Sequence, residues 1–213
     1  MTNSKDIINL ARHGETLKRV IRSGWALAGV SRVRDESISE HSFGAALLSL
    51  LISKELLSEG YAVDLGKVAS MALIHDLPES FTSDIPRTKY KLGGEILSEG
   101  KRIAEKEAIS LIVGSSLSFK DWIEGLWGEI GKLSSVESRI VSCADTLDML
   151  MHALALERSG VSPAILDQFF TSSLPRIAQM DLSIAIDVFW ELYEEHLANA
   201  KTAGIEIDEN TRN

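Results

Sequence analysis

Cysteine occurs once in this chain, at Cys143, so no intrachain disulfide can form, and the chain fits a reducing compartment. Aromatic residues make up only 6%, and no stretch stays apolar for the length that a membrane-crossing helix needs. The N-terminus lacks the charged-then-apolar order of a secretion signal, so the expected location is the cytoplasm. Basic residues are outnumbered, with 22 Lys and Arg against 31 Asp and Glu, for a net charge of −9. That balance argues against a broad nucleic-acid or anionic-membrane surface. It leaves room for a small anion, which one or two arginines and a metal can hold locally. Convincing strand alternation is absent, and so are internal repeats and low-complexity tracts. Histidine is scarce as well, at five residues, which makes the context of each one informative.

What remains is helical periodicity in a chain of ordinary globular composition, 45% hydrophobic and 25% charged. A length of 213 residues suits one substantial core. The expected domain spans 1–204, and the polar stretch 205–213 is expected to be a flexible tail. An opening amphipathic helix is read over Asp6–Val20, followed by an irregular or partly helical segment over Arg22–Asp35. Ser39 is a candidate cap for a helix through Glu59, with Phe43, Leu47, Leu50, Leu51 and Leu57 directed inward. Asp64 caps the next, which runs to His75. Phe81–Lys91 reads as a loop. Helices follow at about Glu95–Val113, Phe119–Gly131, Ser135–Ser159 and Leu182–Ala203, with a boundary or short helix marked by Pro163 and Pro175. The expected fold class is all-α, a single-domain helical bundle.

The chemistry concentrates at His75–Asp76, where an imidazole and a carboxylate stand side by side at the end of an apolar run, with Glu79 one helical turn after the histidine. A helix terminus at Pro78 could aim both groups at one cation. His41 lies upstream beside Glu40. Asp145 lies downstream in the apolar run Ile140–Ala144, an awkward place for an unpaired carboxylate. A helical bundle gathers such distant positions in its core, and metal coordination offsets their burial. Two imidazoles and two carboxylates suit one divalent transition metal (Co, Mn, Ni, Fe or Zn), able to acidify a bound water. His152 and His196 are read as ordinary satisfied polar residues, Asp148 as solvated or salt-bridged, and Cys143 as a buried inert thiol.

The order His…His-Asp…Asp resembles that of the HD phosphohydrolase superfamily. Two longer strings, Val33–Ser42 and His75–Pro86, resemble its 5′-deoxynucleotidases. Leu17–Trp25 and Leu126–Glu129 are similar to the branch shared by archaea and eukaryotes. The resemblance covers roughly residues 5 to 170. It implies an HD-type bundle in which His41, His75, Asp76 and Asp145 hold the metal, and Glu79 and Asp84 are catalytic. It also implies that Arg22 and Trp25 recognise phosphate and deoxyribose, with Trp25 disfavouring a 2′-hydroxyl. The implied substrate is a deoxyribonucleoside 5′-monophosphate. The implied assembly is a homodimer, with the helices after Ser135 as the candidate surface. Two departures stand out. Ser83 occupies a position where the family usually has glycine, which costs something if the backbone needs a positive φ. Ser23–Gly24 interrupts the arginine–tryptophan pair.

A competing string, Leu10–Thr16, resembles the signature of phosphoglycerate-mutase-like histidine phosphatases, with His13 as the phosphorylated residue. That chemistry belongs at the end of a strand in an α/β fold. No strand is expected at Lys5–Leu10, so the match is read as coincidental. Two further readings stay open. One is an HD phosphohydrolase acting on nucleoside triphosphates or cyclic dinucleotides, and the other is a non-catalytic nucleotide sensor.

Overall fold

The structure, a computed structural model, describes residues 4–30, 35–85, 90–114 and 117–207. Val33, Arg34, Pro86 and residues 208–213 of the expected tail lie outside the described residues. The elements run α1 Ser4–Leu17, α2 Ser23–Leu27, α3 Ile38–Ser58, α4 Leu65–Ile74 and α5 Glu79–Thr82. They continue with α6 Tyr90–Val113, α7 Leu117–Lys132, α8 Val136–Arg158, α9 Pro163–Ala178 and α10 Ser183–Thr202. Among the described residues there is no strand, only an isolated antiparallel bridge between Ile21 and Ser37. The all-α expectation holds.

Helix α8 is the axis of the bundle. It packs most extensively on α3 and also meets α4, α7, α9 and α10. Its buried side chains include Ile140, Val141, Cys143, Ala144, Leu147, Leu150 and Leu154. Burial pushes the Cys143 thiol up to about 12, which makes it inert as read. The α3 face that meets the core carries His41, Ser42, Ala45, Ser49, Ile52, Ser53 and Leu56. Several of these are small. The Ser49 and Ser53 hydroxyls satisfy themselves on carbonyls one turn back, which lets a neighbouring backbone approach closely.

That packing corrects the expected phase of α3. Phe43, Leu47, Leu50 and Leu51 point outward, Phe43 at 71% exposure, and Leu57 is only partly buried. The helix is apolar on both faces, so size rather than hydrophobicity decides which side packs. Its cap is Ser37 rather than Ser39. Ser37 accepts from the Glu40 backbone N–H, and the Glu40 carboxylate returns to the Ser37 N–H, so the capping box is complete. Asp64 caps α4 by accepting from the Lys67 N–H, as expected.

Two other boundaries differ. Helix α6 begins at Tyr90, so Tyr90 and Lys91 belong to it and not to the expected loop. Helix α9 is a full 16 residues, with Pro163 in its first turn, where a missing N–H costs little, and Pro175 inside the helix near its end, where the bond to the carbonyl one turn back is given up. The His13 string lies inside α1, where His13 Nδ1 is 3.0 Å from Ser80 Oγ. An α-helix there excludes the strand-end phosphohistidine geometry.

Candidate metal centre and active site

Three helices deliver the four expected metal residues to one place. His41 stands in the first turn of α3, His75 is the C-cap of α4 with Asp76 next to it, and Asp145 sits mid-way along α8. Donor atoms of His41, His75 and Asp145 all lie within 4.8 Å of one another. His41 Nε2 is 3.1 Å from Asp145 Oδ1 and 3.7 Å from Asp76 Oδ2. His75 Nε2 is 3.1 Å from the same Asp76 oxygen.

The hydrogen bonds behind these atoms set the tautomers. His75 Nδ1 donates to the Ala72 carbonyl at 2.8 Å, which leaves Nε2 as the lone-pair nitrogen. That buried Nε2 has no hydrogen-bond partner among the described residues. His41 Nδ1 faces Asp148 Oδ2 at 2.7 Å. Asp145 Oδ2 accepts from Arg176 at 3.1 Å, leaving Oδ1 toward His41. An orphaned imidazole nitrogen beside two carboxylates is the donor set a divalent cation satisfies. The residues fit the group.

Electrostatics agree. Burial alone would lower the His75 pKa, yet Asp76 and Asp145 beside it raise it to about 9. Burial and the Arg22 charge depress His41, but its hydrogen bonds to Asp145 and Asp148 raise it overall. Burial would raise Asp76, but the two imidazoles hold it below the usual carboxylate range. The raised imidazoles report the carboxylates around them, a setting that favours a cation.

The remaining expected residues surround this centre. The Ile21–Ser37 bridge, with Arg22 N–H donating to the Glu36 carbonyl, sets Arg22 beside the start of α3. Its guanidinium lies 2.6 Å from His41 Nδ1 and 3.7 Å from Glu36. Its burial would lower its pKa, but Glu36, Asp145, Asp76 and Asp84 raise it, so it is a fixed cation. Trp25 is nearly enclosed, at 4% exposure, against Phe169 and His152, and its indole N–H donates to Glu36 at 2.7 Å. Glu79, buried on the short helix α5, is pushed up to about 9 by desolvation first and by Asp76 second, with Lys101 opposing. Its Oε2 has no hydrogen-bond partner among the described residues.

Asp84 holds Ser23 at the start of α2, accepting from its backbone N–H at 2.7 Å and its hydroxyl at 3.2 Å. Ser83 before it has φ 57° and ψ 172°, so the glycine departure falls where a side chain is strained.

Residues 14–183 match the HD domain family. The chain belongs to that family. A protein named 5′-deoxynucleotidase HDDC2 from Dictyostelium discoideum is 32% identical over 162 residues, 74% of this HD chain and 80% of that protein. The protein of the same name from Homo sapiens is 26% identical over 204 residues, covering 95% of this chain and 92% of its own. A crystal structure from Pyrococcus horikoshii OT3 superposes with a TM-score of 0.72 at 31% identity, over 88% of this HD chain and 99% of that one.

Sequence reasoning missed four members of this HD site. Asp148, expected to be solvated or salt-bridged, is paired with the His41 imidazole inside the site, its Oδ2 2.7 Å from Nδ1. Glu36 joins Arg22 to Trp25, Lys101 reaches Glu79, and Arg176 holds Asp145. Glu36 falls in the Val33–Ser42 segment, where a carboxylate two residues before a capped helix is its only signal. His196 keeps the satisfied polar role expected of it, whereas His152 packs on Trp25 with Nδ1 3.8 Å from Glu36, beside the site. His196 is fully buried between Glu157 and Asp167.

Proposed function

We propose that this protein is a metal-dependent 5′-deoxynucleotidase, a phosphomonoesterase releasing deoxynucleoside and phosphate from deoxyribonucleoside 5′-monophosphates. The observation that carries this reading is that a cation-fitting cluster, a half-buried guanidinium and a buried carboxyl raised to about 9 stand together. The matching names of the relatives from Dictyostelium discoideum and Homo sapiens support it.

His41, His75, Asp76 and Asp145 would hold one divalent cation, and their mixed nitrogen and oxygen set suits Co, Mn, Ni, Fe or Zn. When bound, the cation supplies a Lewis acid that acidifies water and draws charge from a phosphate oxygen. Arg22 binds the dianionic phosphate as a permanent charge and offsets what develops in the transition state. Glu79 moves the proton: desolvation keeps its carboxyl an acid near neutral pH, suited to giving a proton to the departing 5′-oxygen. Asp84 works beside it by fixing Ser23 and with it the start of α2. Trp25 fills the space next to Arg22, whose guanidinium carbon is 6.0 Å from the ring centre, and so rejects a 2′-hydroxyl by occupancy.

Chelator-stripped protein is to be assayed with dAMP, AMP, nucleoside triphosphates and a cyclic dinucleotide, with and without Co²⁺ or Mn²⁺. Phosphate from dAMP in the metal arm, well above that from AMP, is expected. Trp25→Ala is expected to narrow that gap. Triphosphate, pyrophosphate or a linear dinucleotide as product would point to another HD phosphohydrolase, and no turnover to a nucleotide sensor.

The active form is a cytoplasmic homodimer with no nucleic-acid or membrane partner. Among the described residues no helix is long and apolar enough to cross a membrane. The outward Phe43, Leu47, Leu50 and Leu51 of α3 support the dimer better than α8, whose apolar side chains are mostly inside. A monomeric mass in analytical ultracentrifugation would refute it. The domain is taken as 1–204 with a tail from 205, to be checked by limited proteolysis.

A further inference from the structure

One nitrogen of His41 has two incompatible neighbours. Asp148 Oδ2 lies 2.7 Å from Nδ1, and Arg22 Nη1 lies 2.6 Å from the same atom. A neutral imidazole nitrogen either carries a proton and donates or carries a lone pair and accepts. A carboxylate can only accept and a guanidinium can only donate. Asp148 therefore favours the proton on Nδ1, and Arg22 favours it on Nε2. Only the first arrangement leaves bare the Nε2 that faces Asp145 and Asp76.

The backbone of α3 makes room for the first arrangement. A Cβ placed on Gly44 would lie 1.9 Å from Asp148 Oδ1 and 2.7 Å from its Cγ. No other residue fits without displacing the carboxylate, so Asp148 occupies a notch cut for it. Gly44 stands one turn after His41 on α3, and Asp148 stands one turn after Asp145 on α8, so the same two helix turns carry the ligands and their control.

We propose that Asp148, admitted by the Gly44 notch, is a positioning residue that holds His41 in its metal-ligating tautomer against the pull of Arg22. This rests on the reading of His41 as a metal ligand. It adds that Arg22, whose charge suits it to phosphate, would disable the ligand if Asp148 were absent. The arginine can stand so near the cluster only because the aspartate outcompetes it for Nδ1.

The test is titration of the chelator-stripped full chain with Co²⁺, read by the visible absorption of the bound ion, with folding checked by thermal unfolding. Asp148→Ala is expected to bind cobalt about 10- to 100-fold more weakly, the usual effect of losing a partner behind a ligand. Gly44→Ala, with Asp148 intact, should lose affinity in the same direction. The decisive arm is Arg22→Met, made alone and on Asp148→Ala. Removing the guanidinium relieves charge repulsion in both backgrounds, but only in the second does it also free Nδ1. The affinity regained on Asp148→Ala should therefore exceed the gain on wild type. Equal gains in the two backgrounds, or a folded Asp148→Ala that binds cobalt like wild type, would overturn the proposal. A folded wild type that takes up no cobalt would refute the metal reading instead.

Discussion

Lys101 Nζ donates to Glu79 Oε1 at 3.3 Å and to the Ile85 carbonyl at 3.2 Å, so one ammonium on α6 ties the acid candidate to the segment that follows it. The contact leaves Glu79 Oε2, the buried oxygen with no hydrogen-bond partner among the described residues, as the one that can serve a substrate. Lys101 also lowers the Glu79 pKa against two stronger influences that raise it. It moderates the acid without converting it to a simple ion pair.

Glu79→Gln keeps the shape and removes the proton donor. Turnover of dAMP should fall about 100-fold or more, in the range of a lost general acid, while cobalt uptake stays at the wild-type level. Steady-state kinetics beside a metal titration checks both halves. Lost metal would assign Glu79 to the ligand set.

Acidity offers a second check through stability. His75 is raised from an ordinary 6.5 to about 9, and Glu79 from 4.5 to about 9. In each case the folded state binds a proton more tightly than the unfolded chain. The stabilisation is complete below the unfolded value and is lost as pH rises through about 9. Metal-free protein should therefore melt at progressively lower temperature as pH rises from 4.5, where the Glu79 contribution begins to fall, through 6.5, where that of His75 joins it, to about 9. Saturating Co²⁺ should oppose that trend, because ligation needs a neutral imidazole and so strengthens as pH rises toward 9. Melting curves with chelator and with cobalt, taken across that range, measure both slopes.

Ser83 holds φ 57° with ψ 172°, a conformation open essentially to glycine. Relief of that strain outweighs the extra unfolded-state entropy of glycine, so Ser83→Gly should stabilise the protein by about 1 kcal/mol. The urea midpoint reads the change. A lower midpoint would mean that the serine side chain contributes something not visible in its contacts.

His196 is fully buried, stacked on Phe170 at 4.2 Å between ring centres, with its two nitrogens facing Glu157 and Asp167. Asn199 donates to the other Glu157 oxygen at 2.7 Å. His196→Ala strands a buried carboxylate and opens a cavity, at a cost of about 3–5 kcal/mol. Cobalt affinity of the folded fraction should be unchanged, because this network ties α8, α9 and α10 through residues that include none of the four ligand candidates. Chemical denaturation together with the cobalt titration separates the two effects.

The quartet was legible in the sequence because histidine is rare here and each member had a telling neighbour. Asp76 adjoins His75, and Asp145 interrupts an apolar run where an unpaired carboxylate is out of place. Asp148 offered no such mark. A carboxylate one helical turn past another looks the same whether it faces water or an imidazole 107 residues away. Lys101 reads as one more charge on a polar helix for the same reason. The bundle itself followed from periodicity, whereas the phase of α3 did not, because its outward face is at least as apolar as the packed one, which small residues such as Ala45, Ser49 and Ser53 mark. The glycine preference at Ser83 was readable as a question about backbone geometry, and the positive φ answers it.

The four ligand candidates come from α3, the end of α4 and the middle of α8, segments far apart along the chain. A cation among them is therefore a cross-link as well as a cofactor, closing long loops that an unfolding chain would have to reopen. Starving the protein of metal should shorten its lifetime against proteases as well as silence it. The amount of enzyme present would then follow metal supply, a form of control that requires no separate regulatory site.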